Sequence, residues 1–258
     1  MNSEVIENYS HNKRGLTIDA LKYIAIVAML IDHIATAFVT DYGTVYYIMR
    51  LIGRITGPVM FFSAVEGYHH TRNLKKYIIR LALFALISYL PYMYAFNDDF
   101  DPWRLNVIFT ILFGIIAIYV RRNVENPVLK FFMIFLIFIV SIPADYGTSG
   151  LLMILVMDYY YGNRDGEIFG YLIVILLQYR IFDIFITPLW TYMKDGVLDT
   201  TYIKTGCYLL GYFVPIFLFK HYNGRKGNTN NKFLKWSFYI FYPLHLAIIA
   251  LIRIYIVK

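Results

Sequence analysis

Residues 21–40 read LKYIAIVAMLIDHIATAFVT. At about 1.5 Å per residue, a helix of this length spans the roughly 30 Å hydrocarbon core of a bilayer. The stretch is apolar except at Lys22 near its start and at Asp32 and His33 beyond its middle. An ionisable group at that depth costs about 3 kcal/mol on insertion scales, and such groups persist where they do chemistry, carry protons or hold a partner. The Asp32–His33 pair is therefore the first candidate for a functional site.

Outward from this stretch the chain keeps the same character. Of its 258 residues 59% are apolar and only 16% charged, where soluble domains carry about 25% charged residues; the mean hydropathy is +0.54. Apolar stretches recur from end to end with short polar gaps, which leaves no room for a separate soluble domain and predicts one all-α, multi-pass membrane domain over residues 1–258. The net charge of +7 would suggest nucleic acid in a soluble protein, but in a multi-pass chain the placement of Lys and Arg carries the information, and no nucleic-acid signature is present. Cys207 is the single cysteine, so no disulfide forms within the chain. Lys13 and Arg14 ahead of an apolar run, with Ala35-Thr36-Ala37 behind it, imitate a cleaved secretory signal. Asp32 and His33 would spoil its apolar region, so an uncleaved first helix is expected.

Nine spans are expected, within a range of eight to ten: 21–40, 45–69, 77–96, 105–120, 128–143, 147–161, 167–190, 202–220 and 236–257. The sixth is short, and Gln178, Arg180 and Asp183 interrupt the seventh. The gaps alternate in charge. One set holds Lys13 and Arg14; Arg72, Lys75, Lys76 and Arg80; Arg121, Arg122 and Lys130; Arg164; and Lys220, Arg225, Lys226, Lys232 and Lys235. The other holds Asp41; Asp98, Asp99 and Asp101; Asp145; and Asp195 and Asp199, opposed by Arg104 and Lys194. By the positive-inside rule the N-terminus is cytoplasmic and the protein sits in the plasma membrane. Aromatic residues at segment ends, among them Tyr92, Tyr94, Trp103, Tyr161 and Trp190, fit interfacial belts.

Helix geometry then places the charged residues. His33 lies about 18 Å in from the cytoplasmic end of the first span, and eleven residues, close to three turns, put Lys22 on the same face at its mouth. Asp32, about 100° around, is aimed at another helix and not at the neighbouring imidazole. The second span runs back with Arg54 about 22 Å and Glu66 about 5 Å from its inner end, so depth matching pairs Arg54 with Asp32 and Lys22 with Glu66. The last span carries Tyr242, Pro243 and His245, with the histidine about 13 Å deep. Three helices thus bring titratable groups to one zone. Arg72, Lys76 and Arg80 recur at a spacing of four, a basic stripe able to meet phosphates, although juxtamembrane basic residues also arise from topology and anionic lipid alone. There is no Walker loop, G-x-G-x-x-G, G-x-S-x-G, H-E-x-x-H or zinc-spaced Cys/His set, which leaves a nucleotide hydrolase or zinc protease unsupported and predicts no metal.

These pieces together resemble the TraX family, membrane acetyltransferases associated with conjugation and with N-terminal acetylation of F-type pilin. The resemblance rests on Leu21-Lys22 through Asp32-His33, Gly53-Arg54-Ile55 with Pro58, Glu66-Gly67 before Thr71-Arg72-Asn73, Arg80 to Pro91, Leu105-Asn106, and Phe241-Tyr242-Pro243-Leu244-His245. Lys22 and His33 also match the wider transmembrane acyltransferases, whose first helix carries a basic residue, ten intervening positions and a histidine. Lys22 stands where Arg is commoner, which keeps the charge but loses a bidentate grip on phosphate.

The resemblance implies acetyl transfer from acetyl-CoA, arriving from the cytoplasm, to an amine or hydroxyl acceptor that is either a polypeptide N-terminus or a surface saccharide. His33 is the expected base, or briefly the acetyl carrier. Asp32 and Arg54 fix the site, with Arg54 also facing the developing oxyanion. Glu66, Tyr242 and His245 support it, and Lys22, Arg72, Lys76 and Arg80 meet the CoA phosphates. The rivals are a secondary transporter relaying protons through Asp32, His33, Glu66 and His245, and a helper subunit of a secretion or conjugation complex.

Overall fold

Thr17 accepts a hydrogen bond from the Ala20 amide and starts helix α1, Ile18–Phe38; the carboxyl-side end runs out at Val39 in extended backbone. The computed structural model describes residues 15–96, 101–179, 181–197, 201–225, 227 and 232–257. Lys13, Arg14, Asp98, Asp99, Asp199 and Lys226, which entered the charge pattern above, and Arg180, named as interrupting the seventh span, lie outside the described residues, as do the side chains of Lys232 and Lys235.

The second apolar segment is two helices, α2 (Thr44–Gly53) and α3 (Thr56–His70). The break follows from Pro58, which has no N–H to return to the Arg54 carbonyl and so leaves the turn between the helices without its regular bond. Its consequence is positional: Arg50 and Arg54 fall at the C-terminal end of α2, where the helix dipole favours cations. The third segment breaks in the same way into α4 (Leu74–Ile87) and α5 (Tyr89–Phe96), with Pro91 unable to bond the Ile87 carbonyl. Asn73 caps α4 by accepting from the Lys76 amide at 2.9 Å.

Asn106 caps α6 (Val107–Asn123) and simultaneously donates to the Ala85 carbonyl at 2.9 Å, stitching α6 to α4 although it is fully buried. Next come α7 (Pro127–Ser141), α8 (Gly147–Tyr159), α9 (Arg164–Gln178), α10 (Asp183–Asp195) and α11 (Thr201–Gly206). A 3₁₀ segment, Cys207–Phe213, leads into α12 (Val214–Lys220). The chain ends with α13 (Lys232–Ile252), which contains Pro243 and continues as a π-helical turn, Arg253–Val257. Among the described residues there is no strand, only two isolated bridges.

Each expected span coincides with helix, and the molecule is a membrane helical bundle. Among the described residues, five helical stretches are long and apolar enough to cross a bilayer: Ile18–Phe38, Thr44–His70, Leu74–Phe96, Arg164–Asp195 and Trp236–Tyr255. Three shorter apolar stretches accompany them, Pro127–Ser141, Gly147–Tyr159 and Cys207–Lys220. The α8 helix is buried within the bundle, with Leu151, Met153 and Ile154 inaccessible. The opposite holds on α7, where Phe131, Phe132, Phe135 and Leu136 face outward, as an apolar solvent requires.

Several gaps of the basic set meet one another, and two of the acidic set do likewise. In the basic set, the amide of Leu16 donates to His221 O and that of Asn223 to Leu16 O, and the ends of α3, α6 and α8 meet through His69, Arg121, Arg122 and Asp158. In the acidic set, Leu105 N donates to Pro143 O at 3.0 Å and Asp145 N to Leu105 O at 2.8 Å. That second pairing locks the gap before α6 to the gap before α8.

Candidate functional site

Asp32 is the anchor of a four-residue ionic cluster. Arg50 Nη1 donates to its Oδ1 at 2.7 Å, and Arg54 Nη2 donates to both carboxylate oxygens at 3.2 Å. Arg50 also donates to Thr36 Oγ1 at 2.7 Å, and that hydroxyl donates to the Asp32 carbonyl at 2.9 Å. All three charged side chains are at most 20% exposed, so removing one partner would leave the rest uncompensated in a poorly solvated site. The pair between Asp32 and Arg54 is the one that depth matching gave. Arg50 joins it because residues four apart share a helix face.

Close approach of α1 and α2 depends on Gly53, where a Cβ would overlap the Asp32 carboxylate. Gly211 does the same for the 3₁₀ segment, letting its backbone meet the Leu51 carbonyl. This brings Tyr208 and Tyr212 within 5.4 and 5.8 Å of the Arg54 guanidinium, measured to the ring centroids, a cation–π arrangement that adds to the hold of Asp32 on Arg54.

His33 turns away from Asp32 and meets α13. Its Nδ1 lies 2.8 Å from His245 Nε2, and His245 Nδ1 lies 2.8 Å from the Phe241 carbonyl. A carbonyl only accepts, so His245 Nδ1 carries a proton; neutral His245 then offers its Nε2 lone pair, and His33 Nδ1 must donate to it. The lone pair of neutral His33 is thereby fixed on Nε2. The two rings lie edge to edge in nearly parallel planes with centroids 5.0 Å apart, Phe96 meets His33 edge-on at 4.8 Å, and buried Tyr242 lies edge-on to His245 at 5.6 Å.

His33 lines a cavity of about 180 Å³ together with Asp32, Arg50, Arg54, Tyr92, Arg104, Asp145 and Tyr146. A second cavity, about 370 Å³, shares Tyr92, Arg104, Asp145 and Tyr146 with it and continues between Leu105 and Thr148. Both therefore lie at the acidic gaps. Tyr92 is an internal wall of the site and not part of an interfacial belt. Tyr146 holds the corner with left-handed backbone, φ 64°, a strained conformation for a non-glycine residue.

The remaining expected residues sit elsewhere. Glu66 does not meet Lys22: it is buried, accepts from Tyr222 Oη at 3.2 Å and lies 3.4 Å from His70 Nδ1, because the turn around Leu16 and Tyr222 closes over that end of α3. Lys22 instead lies over the Phe238 ring at 5.4 Å. Arg80 lies over Tyr239 at 5.0 Å with its Nε buried and unpaired among the described residues, and Arg72 and Lys76 are exposed. None of these four basic residues lines either cavity. A separate cluster is built on fully buried Asp158, which accepts from Arg121 and Arg122 and lies 2.8 Å from His69 Nε2; Tyr161 stacks on His69 at 3.6 Å. Tyr161, too, is internal.

A multi-pass helical membrane protein with an ionic cluster, a paired imidazole and a cavity inside the bundle is the class that fold and site define. The chain belongs to the TraX family: the model described as "TraX protein" matches residues 17–253. It is 30% identical over 250 residues to the "Probable fimbrial assembly protein FimC, serogroup H1" of Dichelobacter nodosus, covering 92% of this chain and 95% of that protein. No solved structure matches the chain.

Proposed function

We propose that the protein is an acetyltransferase of the bacterial plasma membrane that moves an acetyl group from acetyl-CoA to an amine or hydroxyl acceptor, most simply the N-terminus of a pilin-like or other exported polypeptide. The observation that carries this reading is the His33–His245–Phe241 chain, which fixes a basic Nε2 on a ring lining a cavity. The fimbrial assembly role named for the Dichelobacter nodosus relative favours a polypeptide acceptor; a surface saccharide is the alternative within the same chemistry.

In the transfer, the neutral acceptor nitrogen or oxygen attacks the thioester carbonyl carbon, and its proton passes to His33 Nε2 as the new bond forms. The carbon–sulfur bond then breaks, and the departing CoA sulfur takes that proton from the His33 imidazolium, which restores the neutral ring. The imidazolium formed in between keeps its Nδ1–H on His245. Arg50 and Arg54, already on the cavity wall, stabilise the oxyanion electrostatically.

In this reading the donor lies along the contact between α1 and α13. Lys22 and Phe238 stand at one end of that contact, His33 and His245 at the other, and eleven residues of α1 separate the ends by about 16 Å. Arg80, whose buried Nε has no partner among the described residues, and the exposed Arg72 and Lys76 supply the charge that a phosphorylated carrier needs at the basic gaps. The acceptor comes from the opposite side, through the larger cavity.

The test is purified protein in lipid nanodiscs with acetyl-CoA and a peptide acceptor, read by free thiol and by the acetylated product. Thiol release that depends on acceptor and is lost in His33→Ala is expected. Wild-type protein that releases no thiol with any amine or hydroxyl acceptor overturns the reading, and proton-coupled uptake into liposomes without thiol release would replace it with transport.

A further inference from the structure

Asp145 has no part in the chemistry above, yet it is the acidic residue shared by both cavities, and it lines the smaller one together with His33. Its backbone is held at both ends: its amide donates to Leu105 O at 2.8 Å, and its carbonyl accepts from buried Thr110 Oγ1. The next residue is the strained Tyr146. The carboxylate is therefore presented by a fixed corner and not by a pliable loop.

The charges around it are unequally satisfied. Arg50 and Arg54 both donate to Asp32, and no ion pair to Asp145 is formed among the described residues. The groups facing it are Arg54 at the end of α2, Asp32 on α1, Arg104 before α6, Tyr92 on α5, Tyr212 in the 3₁₀ segment, Tyr242 on α13 and Tyr146 beside it, whose backbone amide donates to the carboxylate. A carboxylate enclosed without a contact cation is unfavourable unless a partner arrives. In accord with that, burial pushes the Asp145 carboxyl up to about 6 even with Arg54 nearby.

We infer that Asp145 is the acceptor-binding residue and that it selects an amine: the acceptor enters the larger cavity as an ammonium ion, pairs with the Asp145 carboxylate, and is delivered to the smaller cavity beside His33. This rests on the acetyl-transfer reading and narrows its acceptor. A hydroxyl acceptor has no charge to offer Asp145, whereas a peptide N-terminus supplies the missing cation. Before attack the ammonium gives one proton to water in the larger cavity; the second leaves through His33 as described. The Asp145 carboxylate is unchanged at the end of the cycle.

The experiment compares wild type with Asp145→Asn, using two probes: a short peptide with a free terminal amine, and the same peptide with a hydroxyl in place of that amine. With wild type, the amine peptide is the better substrate. In Asp145→Asn the KM for the amine peptide rises by about ten- to a hundredfold, the loss expected for one charge-assisted hydrogen bond, so the preference for amine over hydroxyl peptide shrinks by that factor. A thermal melt shows that the variant is folded; if the variant uses neither peptide, Asp145→Glu, which keeps the charge, restores the amine peptide. Equal KM values for the amine peptide in wild type and Asp145→Asn overturn the assignment of Asp145 alone, as does failure of Asp145→Glu to restore it. Wild type that acetylates neither peptide and releases no thiol overturns the transfer reading and this assignment with it.

Discussion

The two imidazoles should behave as one catalytic unit. His33→Ala removes the base, and loss of a positioned general base slows the chemical step by about 10²- to 10⁴-fold. His245→Ala leaves the base in place but strips the acceptor from His33 Nδ1–H, which lies 2.8 Å away in wild type. An unsatisfied donor in such a site costs about 1–3 kcal/mol, and the ring escapes that cost by moving its proton to Nε2, the atom that must be bare. At 1.4 kcal/mol per factor of ten, His245→Ala should therefore slow thiol release by about 10- to 100-fold. His245→Gln, whose side-chain carbonyl can accept, should recover part of it. The double variant should be no slower than His33→Ala alone, because residues acting through one another are not additive. The assay is acceptor-dependent thiol release in nanodiscs, with fold monitored by thermal unfolding. Multiplicative losses in the double variant, or a His33→Ala protein that keeps the wild-type rate, would refute the arrangement.

Other perturbations read different parts of the molecule. Gly53→Ala forces a methyl group into the Asp32 carboxylate, and overpacking of this kind should lower stability by about 1–3 kcal/mol in a thermal melt while also reducing thiol release. Asp158→Asn leaves Arg121 and Arg122 without their shared, fully buried anion; stability should fall by about 3 kcal/mol, with little change in the KM for acceptor because this cluster is remote from both cavities. For Asp145, the carboxyl stands at about 6 in the folded protein against 3.8 for its ordinary value. The folded state then holds the proton more tightly, so this residue's burden on stability is absent below about pH 4, grows between those values and is complete above about pH 6. Asp145→Asn should accordingly melt higher than wild type at pH 7.5, by an amount on the order of 1–3 kcal/mol, and the gap should close at pH 4. A double Arg72→Ala, Lys76→Ala variant should raise the KM for acetyl-CoA several-fold, an effect weakened by salt as expected for exposed charges.

The resemblance to relatives and the ionic groups were legible to different degrees. Depth along a straight helix brought Asp32 and Arg54 to one level, because rise per residue is a property of the backbone alone. The same arithmetic failed for Lys22 and Glu66, since it ignores what else arrives at that level, here Tyr222 and His70. Arg50 carried a readable signal, its spacing of four from Arg54. Tyr208, Tyr212 and Tyr146 carried none, as aromatic residues near segment ends are expected at interfaces whether or not they wall a site.

The amino-acid order by itself determined that the chain is a membrane helical bundle, where its apolar segments lie, and that Asp32, His33 and His245 are out of place in lipid. Those are consequences of transfer energies and helical repeat, which each segment expresses without its neighbours. Only the tertiary structure decided that His33 Nδ1 faces His245, that Arg50 shares Asp32, and that the cavity beside His33 opens among Arg104, Asp145 and Tyr146. Such contacts depend on how helices rotate and approach, set here by Gly53, by the Leu105–Asp145 pairing and by the breaks ahead of Pro58 and Pro91. Rotation about a helix axis leaves local hydropathy unchanged while exchanging every partner a side chain can reach.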